Sequence, residues 1–209
     1  MAELSRPGKI VCVGRNYRDH AAELGHVMEA EPLLFLKPPS AVIGDGDAIL
    51  LPRLPADRSR VDYEGELVAI IGSPLRHAGP GEALEAVLGY TCGNDVTARD
   101  LQATEAQWTR AKGFDTFCPL GPEVVPIDPR DVLVTTRVNG EVRQRARTRE
   151  MAVGVGDLLA YISRCMTLEP GDAVFTGTPA GVGPLHDGDV VEVEVEGIGV
   201  LRNPVRAEP

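Results

Sequence analysis

Two carboxylates one residue apart, Glu64 and Glu66, lead into an uninterrupted apolar run in the stretch Val61-Asp62-Tyr63-Glu64-Gly65-Glu66-Leu67-Val68-Ala69-Ile70-Ile71-Gly72. The run reads as a buried strand, and residues i and i+2 of a strand share a face, so both carboxylates project into one space. Anions crowded there need a counter-charge, because an ionised carboxylate out of water is costly unless it is paired or bound to a metal. A hard divalent cation with oxygen ligands, Mg²⁺, Mn²⁺ or Ca²⁺, suits such a pair better than zinc, which prefers His and Cys. The alternative is an exposed strand edge with alternating Glu. A third acid, Asp95, stands at the end of a second expected strand, Tyr90 to Asn94, where it either joins the pair as a ligand or shapes the turn. His20 and Glu23, three apart in a segment that reads as a short helix, have the spacing of a base and its orienter, or of a solvated surface pair. Arg15 and Arg18 nearby either meet a carboxylate or lie exposed.

The elements that must position these residues are mostly strands. With 209 residues, 43% hydrophobic, the chain is long enough for a core and is expected to form one domain spanning 1–209. Dispersed Gly and Pro imply many turns and short strands. Lys9 to Val13 reads as a strand, followed by a turn and a helix stopped by Gly25. The stretch 29–40, with Pro32, Pro38 and Pro39, is extended around Leu33 to Lys37. Pro80 to Gly89 reads as a helix with Leu84, Val87 and Leu88 on one side, and Thr97 as the cap of another. Residues 108–122 read as a functional loop. Val132 to Arg145 spells a hairpin about Asn139-Gly140. Gly156 to Met166 reads as an amphipathic helix, and Ala173 to Phe175 as a strand ending in Thr176-Gly177-Thr178-Pro179-Ala180-Gly181-Val182-Gly183. That loop lacks the Gly-Lys-Ser/Thr of a phosphate loop. Val191, Val193 and Val195 alternate in a strand followed by a last turn at Gly197 to Gly199.

A net charge of −10 and a pI near 4.9 argue against a nucleic-acid or anionic-membrane surface. Cys12, Cys92, Cys118 and Cys165 form no C-x-x-C pair, so neither a zinc ribbon nor a disulfide framework is expected. No apolar leader or membrane-length run occurs, which makes a cytoplasmic location the expectation.

Taken together, Gly14-Arg15-Asn16-Tyr17, Asp62-Tyr63-Glu64-Gly65-Glu66-Leu67, Asn94-Asp95-Val96-Thr97-Ala98-Arg99-Asp100, Lys112-Gly113-Phe114-Asp115-Thr116, Pro119-Leu120-Gly121-Pro122 and the 176–183 loop occur in an order that resembles the fumarylacetoacetate hydrolase family. The resemblance is to its short single-domain branch, which includes acylpyruvases and oxaloacetate decarboxylases or tautomerases. It implies an α+β, predominantly β fold, a mixed β-sheet roll with a few short helices, in a homodimer. Glu64, Glu66 and Asp95 are then the ligands of Mg²⁺ or Mn²⁺, and His20 and Glu23 a water-activating dyad. By the same resemblance Lys112 faces the substrate, and Arg15, Tyr17, Arg99, Gln102 and Thr178 bind it. The N-terminal domain of longer members is expected to be absent, and with it their preference for fumarylacetoacetate; a small 2-oxo acid is the expected substrate.

The implied chemistry is hydrolysis of a C–C bond in acylpyruvate-type 2,4-dioxo acids, with a metal-stabilised pyruvate enolate as the leaving group. Oxaloacetate decarboxylation or tautomerisation, or isomerisation of a 2-hydroxyhepta-2,4-diene-1,7-dioate type of substrate, uses the same enolate without the water. A non-catalytic binder of metal and 2-oxo acid is the third reading. Residues 15–28, polar and bounded by Gly14 and Gly25, read as a lid that brings His20 to the metal.

Overall fold

The computed structural model describes residues 6–23, 25, 31–55 and 59–209. Its first elements are β1 (Ile10–Gly14), α1 (Arg18–Glu23), β2 (Leu33–Lys37), β3 (Val42–Ile43), β4 (Ile49–Leu51), β5 (Val61–Tyr63) and β6 (Gly65–Ile71). There follow α2 (Pro80–Glu85), β7 (Val87–Asn94), β8 (Thr97–Ala98), α3 (Arg99–Thr104), α4 (Thr109–Lys112), β9 (Cys118–Val125), β10 (Leu133–Val138) and β11 (Glu141–Arg147). The chain closes with α5 (Val155–Cys165), β12 (Ala173–Phe175), β13 (Gly183–Pro184), β14 (Val190–Val195) and β15 (Gly199–Ala207). Strands dominate and the helices are short, the α+β, predominantly β class that the turn-rich sequence implies.

Three mixed or antiparallel sheets curl around one another. The largest runs β2-β1-β12-β6-β7-β9-β3, the second β11-β10-β14-β15-β4, and the third, small and antiparallel, β13-β5-β8. The apolar run after Glu66 becomes β6, buried along its whole length. Leu67, Ala69 and Ile71 face a core built with Leu158, Leu159 and Ile162 of α5 and Val193 and Val195 of the second sheet. Val68 and Ile70 point the other way, onto Ile10, Cys12 and Phe175. A strand covered on both faces reads as a continuous hydrophobic run, and each such large side chain contributes roughly 1.5–3 kcal/mol of burial.

The hairpin forms as expected: Asn139 (φ 54°) and Gly140 (φ 80°) make the left-handed turn between β10 and β11. Three expectations change. The helix begun at Pro80 ends at Glu85, and Val87, Leu88 and Gly89 already belong to β7, with Leu88 exposed. Gly89 does not stop a helix; it lets two strands touch, since a Cβ there would lie 3.0 Å from the Val125 backbone. Thr97 does not cap α3 but sits in β8 and donates to the Asp95 carbonyl at 2.8 Å. The last turn at Gly197 to Gly199 is followed by a further strand, β15, paired antiparallel with β14 and parallel with β4. The 108–122 loop contains the short helix α4 and the start of β9.

Of the segment 15–28 read as a lid, residues 15–23 and 25 are described and include α1; Leu24 and 26–28 lie outside the described residues. Gly25, at φ 70°, donates to the Ala22 carbonyl and so ends the helix as expected. Cys12, Cys92 and Cys118 are buried free thiols and Cys165 is an exposed one. Among the described residues no helix is long and apolar enough to cross a membrane.

Strand packing around the site leaves little slack at Gly93, which pairs with Glu66 on one side and Leu120 on the other. A Cβ at Gly93 would fall 2.5 Å from both Phe175 and Val68. Gly93→Ala is therefore expected to cost about 1–3 kcal/mol by overpacking and to lower the thermal midpoint by several degrees. Gly81→Ala, where a Cβ meets nothing within 4 Å in helix α2, should leave the midpoint unchanged or raise it in the same calorimetric scan.

Candidate active site

The chain changes sheets at Glu64. Val61 to Tyr63 belong to the small sheet and Gly65 onward to the large one, so Glu64 stands at the break with its backbone N–H donating to Asn94 Oδ1 at 2.9 Å. The antiparallel register of β6 with β7 sets Gly65 opposite Asn94, and the Asp95 N–H donates to the Glu64 carbonyl at 2.8 Å. That register brings Asp95 to the pair: one oxygen from each of Glu64, Glu66 and Asp95 lies within 4.8 Å of the others, and all three residues are buried.

Cations grip two of these three acids. Arg99, at the start of α3, donates to Glu64 Oε1 at 2.5 Å, to Asp62 Oδ2 at 2.9 Å and to Gln102 Oε1 at 2.5 Å. Lys112, at the end of α4, donates to Glu64 Oε2 at 2.8 Å and to Asp95 Oδ2. Lys37, from β2, takes the other oxygen of Asp95 at 2.5 Å. Burial alone would raise the Glu64 pKa, but Lys112 and Arg99 outweigh it and hold this carboxyl well below its usual range. Glu66 goes the other way: burial first, then the Asp95 and Glu64 charges, push it well above the carboxylate range, and its Oε2 accepts from the Gly177 N–H at 2.6 Å. Lys112 loses by desolvation but gains more from Asp95 and Glu64, so its pKa is raised and it stays an ammonium.

The loop 176–183 closes the cluster from the side. Gly177, at φ 101°, lies so close to Asn16 that a Cβ would fall 2.7 Å from the Asn16 side chain. Asn16 Nδ2 in turn donates to the Thr176 and Val153 carbonyls. Thr178 donates to the Gly65 carbonyl at 2.9 Å, while buried Gln144 of β11 accepts from the Gly65 N–H at 3.0 Å and donates to Thr178 at 2.7 Å.

A cavity of about 400 Å³ opens onto these groups. Glu64, Glu66, Asp95, Arg99, Gln102, Lys112 and Thr178 line it, as do Arg15 and His20. His20 is buried, with Nδ1 3.3 Å from Glu23 Oε2, so its Nε2 is the nitrogen left for a molecule in the cavity. Glu23 stands behind it, its carboxylate accepting from the Gly181 N–H at 3.1 and 3.2 Å. The expected substrate contact Tyr17 does not line the cavity. It packs in the main hydrophobic core, 2% exposed, because β1 and an isolated bridge to Met151 turn its ring inward. Sequence reasoning missed Lys37, Asn16 and Gln144 as supports, and also the aromatic wall made by Phe35 and Trp108, whose ring centroids are 5.3 Å apart at 71°. The Arg15 guanidinium lies 6.0 Å from the Trp108 centroid.

The donor set fits a hard divalent cation: three buried carboxylates, no thiol or imidazole among them, and one of the three, Glu66, pushed upward in pKa by burial and then by its like-charged neighbours. Glu64, Glu66 and Asp95 would hold it.

The family model of the fumarylacetoacetate (FAA) hydrolase C-terminal domain matches residues 9–206. Oxaloacetate tautomerase FAHD2A, mitochondrial, of Homo sapiens is 41% identical over 218 residues, covering 98% of this chain and 68% of that protein. The crystal structure of 5-carboxymethyl-2-hydroxymuconate delta-isomerase from Mycobacterium smegmatis superposes with a TM-score of 0.90 at 51% identity, covering 98% of this chain and 80% of that one. That of 2-hydroxyhepta-2,4-diene-1,7-dioate isomerase from Mycobacterium marinum gives 0.88 at 49%, covering 97% and 76%. The ordered motifs, the fold and the family match agree, and the chain belongs to the fumarylacetoacetate hydrolase family.

Proposed function

We propose that the chain is a Mg²⁺- or Mn²⁺-dependent hydrolase of acylpyruvate-type 2,4-dioxo acids. The observation that carries this reading is the meeting of the His20–Glu23 pair with the three-carboxylate cluster in one cavity. When bound, a divalent cation supplies Lewis acidity toward the carboxylate and keto oxygens of a 2-oxo acid.

The protein groups supply the rest. Glu23, fixed by the Gly181 N–H, orients the imidazole through Nδ1, and Nε2 of His20 takes a proton from water as the oxygen bonds to the distal carbonyl carbon. The C–C bond to the three-carbon fragment breaks, its electron pair leaves on that fragment as an enolate, and the proton held by His20 returns to the enolate carbon. The products are pyruvate and a carboxylic acid. Lys112 and Arg99 offset the charge of the leaving fragment, and Gln102, Thr178 and Arg15 border the substrate. We take the enzyme as a homodimer, which a light-scattering mass decides.

A second reading is tautomerisation or isomerisation of a 2-oxo acid, favoured by the names of the human and mycobacterial relatives. His20 then moves a proton between carbon and oxygen and no water is consumed. The discriminating experiment is a panel of 2,4-dioxo acids, oxaloacetate and unsaturated 2-oxo dioates, assayed with Mg²⁺ and Mn²⁺. Hydrolysis products from the dioxo acids support the first reading, while keto–enol interconversion without cleavage supports the second. No metal-dependent change in any substrate would leave a binder.

Two variants test the assignment. Glu66→Gln preserves shape and removes an anionic ligand, so Mn²⁺ affinity measured by calorimetry is expected to fall more than about tenfold, with activity falling alongside. Metal content equal to the parent protein's would overturn the ligand set. His20→Ala should keep the metal and lose acylpyruvate hydrolysis by about 10²–10⁴-fold, the usual span for a positioned acid–base group, with oxaloacetate decarboxylation less affected. Equal loss of both reactions would give His20 a part beyond water activation.

A further inference from the structure

Lys37 holds a member of the acidic cluster yet does not line the cavity. Strand alternation in β2 sends Leu36 out, 50% exposed, and Lys37 in, with its side chain fully buried and set opposite Ile10 of β1. Pro38, at φ −70° and ψ 144°, and the turn Pro39–Ala41 fix the chain where it leaves the strand, so the lysine stem has little freedom. Its ammonium donates to Asp95 Oδ1 at 2.5 Å and to the Val96 carbonyl at 3.1 Å. The charges of Lys37 and Asp95 also bear on the buried thiols of Cys12 and Cys118, so the lysine stands in a largely apolar setting.

We infer that Lys37 is a positioning residue which, by occupying Asp95 Oδ1 from behind, presents the carboxylate to the cavity through Oδ2 alone and so sets the affinity of the three-carboxylate site for a divalent cation. The inference rests on the metal reading proposed above. Two effects oppose each other. A positive charge behind the ligand repels a bound cation, while the same ammonium holds the Asp95 carboxylate in one orientation close to Glu64 and Glu66. The geometry decides for the second. Lys112 already takes Oδ2 from the cavity side, so without Lys37 the carboxylate has no partner behind it and is free to turn away from Glu64 and Glu66. Lys37 also offsets buried negative charge, and removing one partner of a buried ion pair costs stability, so its loss weakens the fold as well as the site. A loss of metal affinity that depends on Asp95 separates this role from a purely structural one.

The test compares Mn²⁺ binding by calorimetry in the parent protein, Lys37→Met, Asp95→Asn and the double variant, with the thermal midpoint of each metal-free protein. Lys37→Met is expected to weaken Mn²⁺ binding about 10–100-fold, the usual effect of losing a group that orients a ligand. Its metal-free midpoint should fall, because buried Asp95 then keeps only Lys112 as a cationic partner, and kcat should return at saturating Mn²⁺. Because the effect passes through Asp95, Asp95→Asn and the double variant should bind Mn²⁺ equally. Unchanged or tighter binding in Lys37→Met would overturn the inference, as would the same loss in both backgrounds. If Lys37→Met does not fold, Lys37→Gln, which keeps a donor and drops the charge, is read on the same scale. Failure of the parent protein to bind Mn²⁺ is a different outcome: it removes the metal reading itself, and the positioning role with it.

Discussion

Buried negative charge is the constraint on which the rest of the structure depends. Asp62, Glu64, Glu66 and Asp95 are each at most 5% exposed and sit within one short stretch of space. Two unit charges 4 Å apart interact by about 4 kcal/mol even at an effective dielectric of 20, so four such acids would force the strand ends apart if left alone. The fold answers with Lys37, Arg99 and Lys112, one each from β2, α3 and α4, and with Arg60 forked onto Asp62 at 2.8 and 3.0 Å. The short helices α3 and α4 add little to the main core. Their place is explained by the cations they deliver to the ends of β6 and β7.

That arrangement also explains the break at Glu64. A strand continuous from Val61 to Ile71 would keep its carboxylates on one sheet, with a single neighbour on each side. By crossing from the small sheet to the large one, the chain frees the Glu64 and Gly65 N–H groups for side chains, Asn94 and Gln144, instead of a ladder partner. Gln144 then ties Gly65 to Thr178, so the second sheet, through β11, helps hold the acidic cluster although none of its residues is charged toward the cavity. The supports of the acidic cluster are spread over all three sheets.

How much of this was legible depended on whether a residue's surroundings are local in the chain. The apolar run of β6, the Asn139-Gly140 hairpin and the inward side of α5 follow from periodicity and turn chemistry, which neighbours in sequence carry. The three carboxylates were legible as a family pattern, but their meeting depends on the register of Gly65 with Asn94, which no spacing encodes. Lys37 was invisible for a related reason: one lysine ending an apolar strand reads as an exposed edge, and only the tertiary pairing with Asp95 turns it inward. β15 escaped because its inward face reads Leu201, Asn203, Val205, and Pro204 argues against a strand. The structure accommodates Asn203 by letting its amide donate to the Gly44 and Asp47 carbonyls. Tyr17 was expected at the substrate from its place in the motif, yet its ring packs in the core.

The His20–Glu23 pair depends on contacts made outside its own helix. A six-residue helix does not persist alone, since nucleation is costly and too few bonds follow to offset it, so the place of α1 is set by what it touches. Tyr17 bridges Met151 just before the helix starts, and the Ala152 N–H donates to the Asn16 carbonyl at 2.7 Å. At the other end Glu23 is held by the Gly181 N–H, four residues along the loop from the Gly177 N–H that holds Glu66. One loop therefore anchors a member of the His20–Glu23 pair and a member of the acidic cluster with two of its backbone donors. Any displacement of that loop moves both halves of the site together, which gives the small residues of Thr176 to Gly183 a physical role: they let one stretch of backbone come close enough to each half to fix their distance.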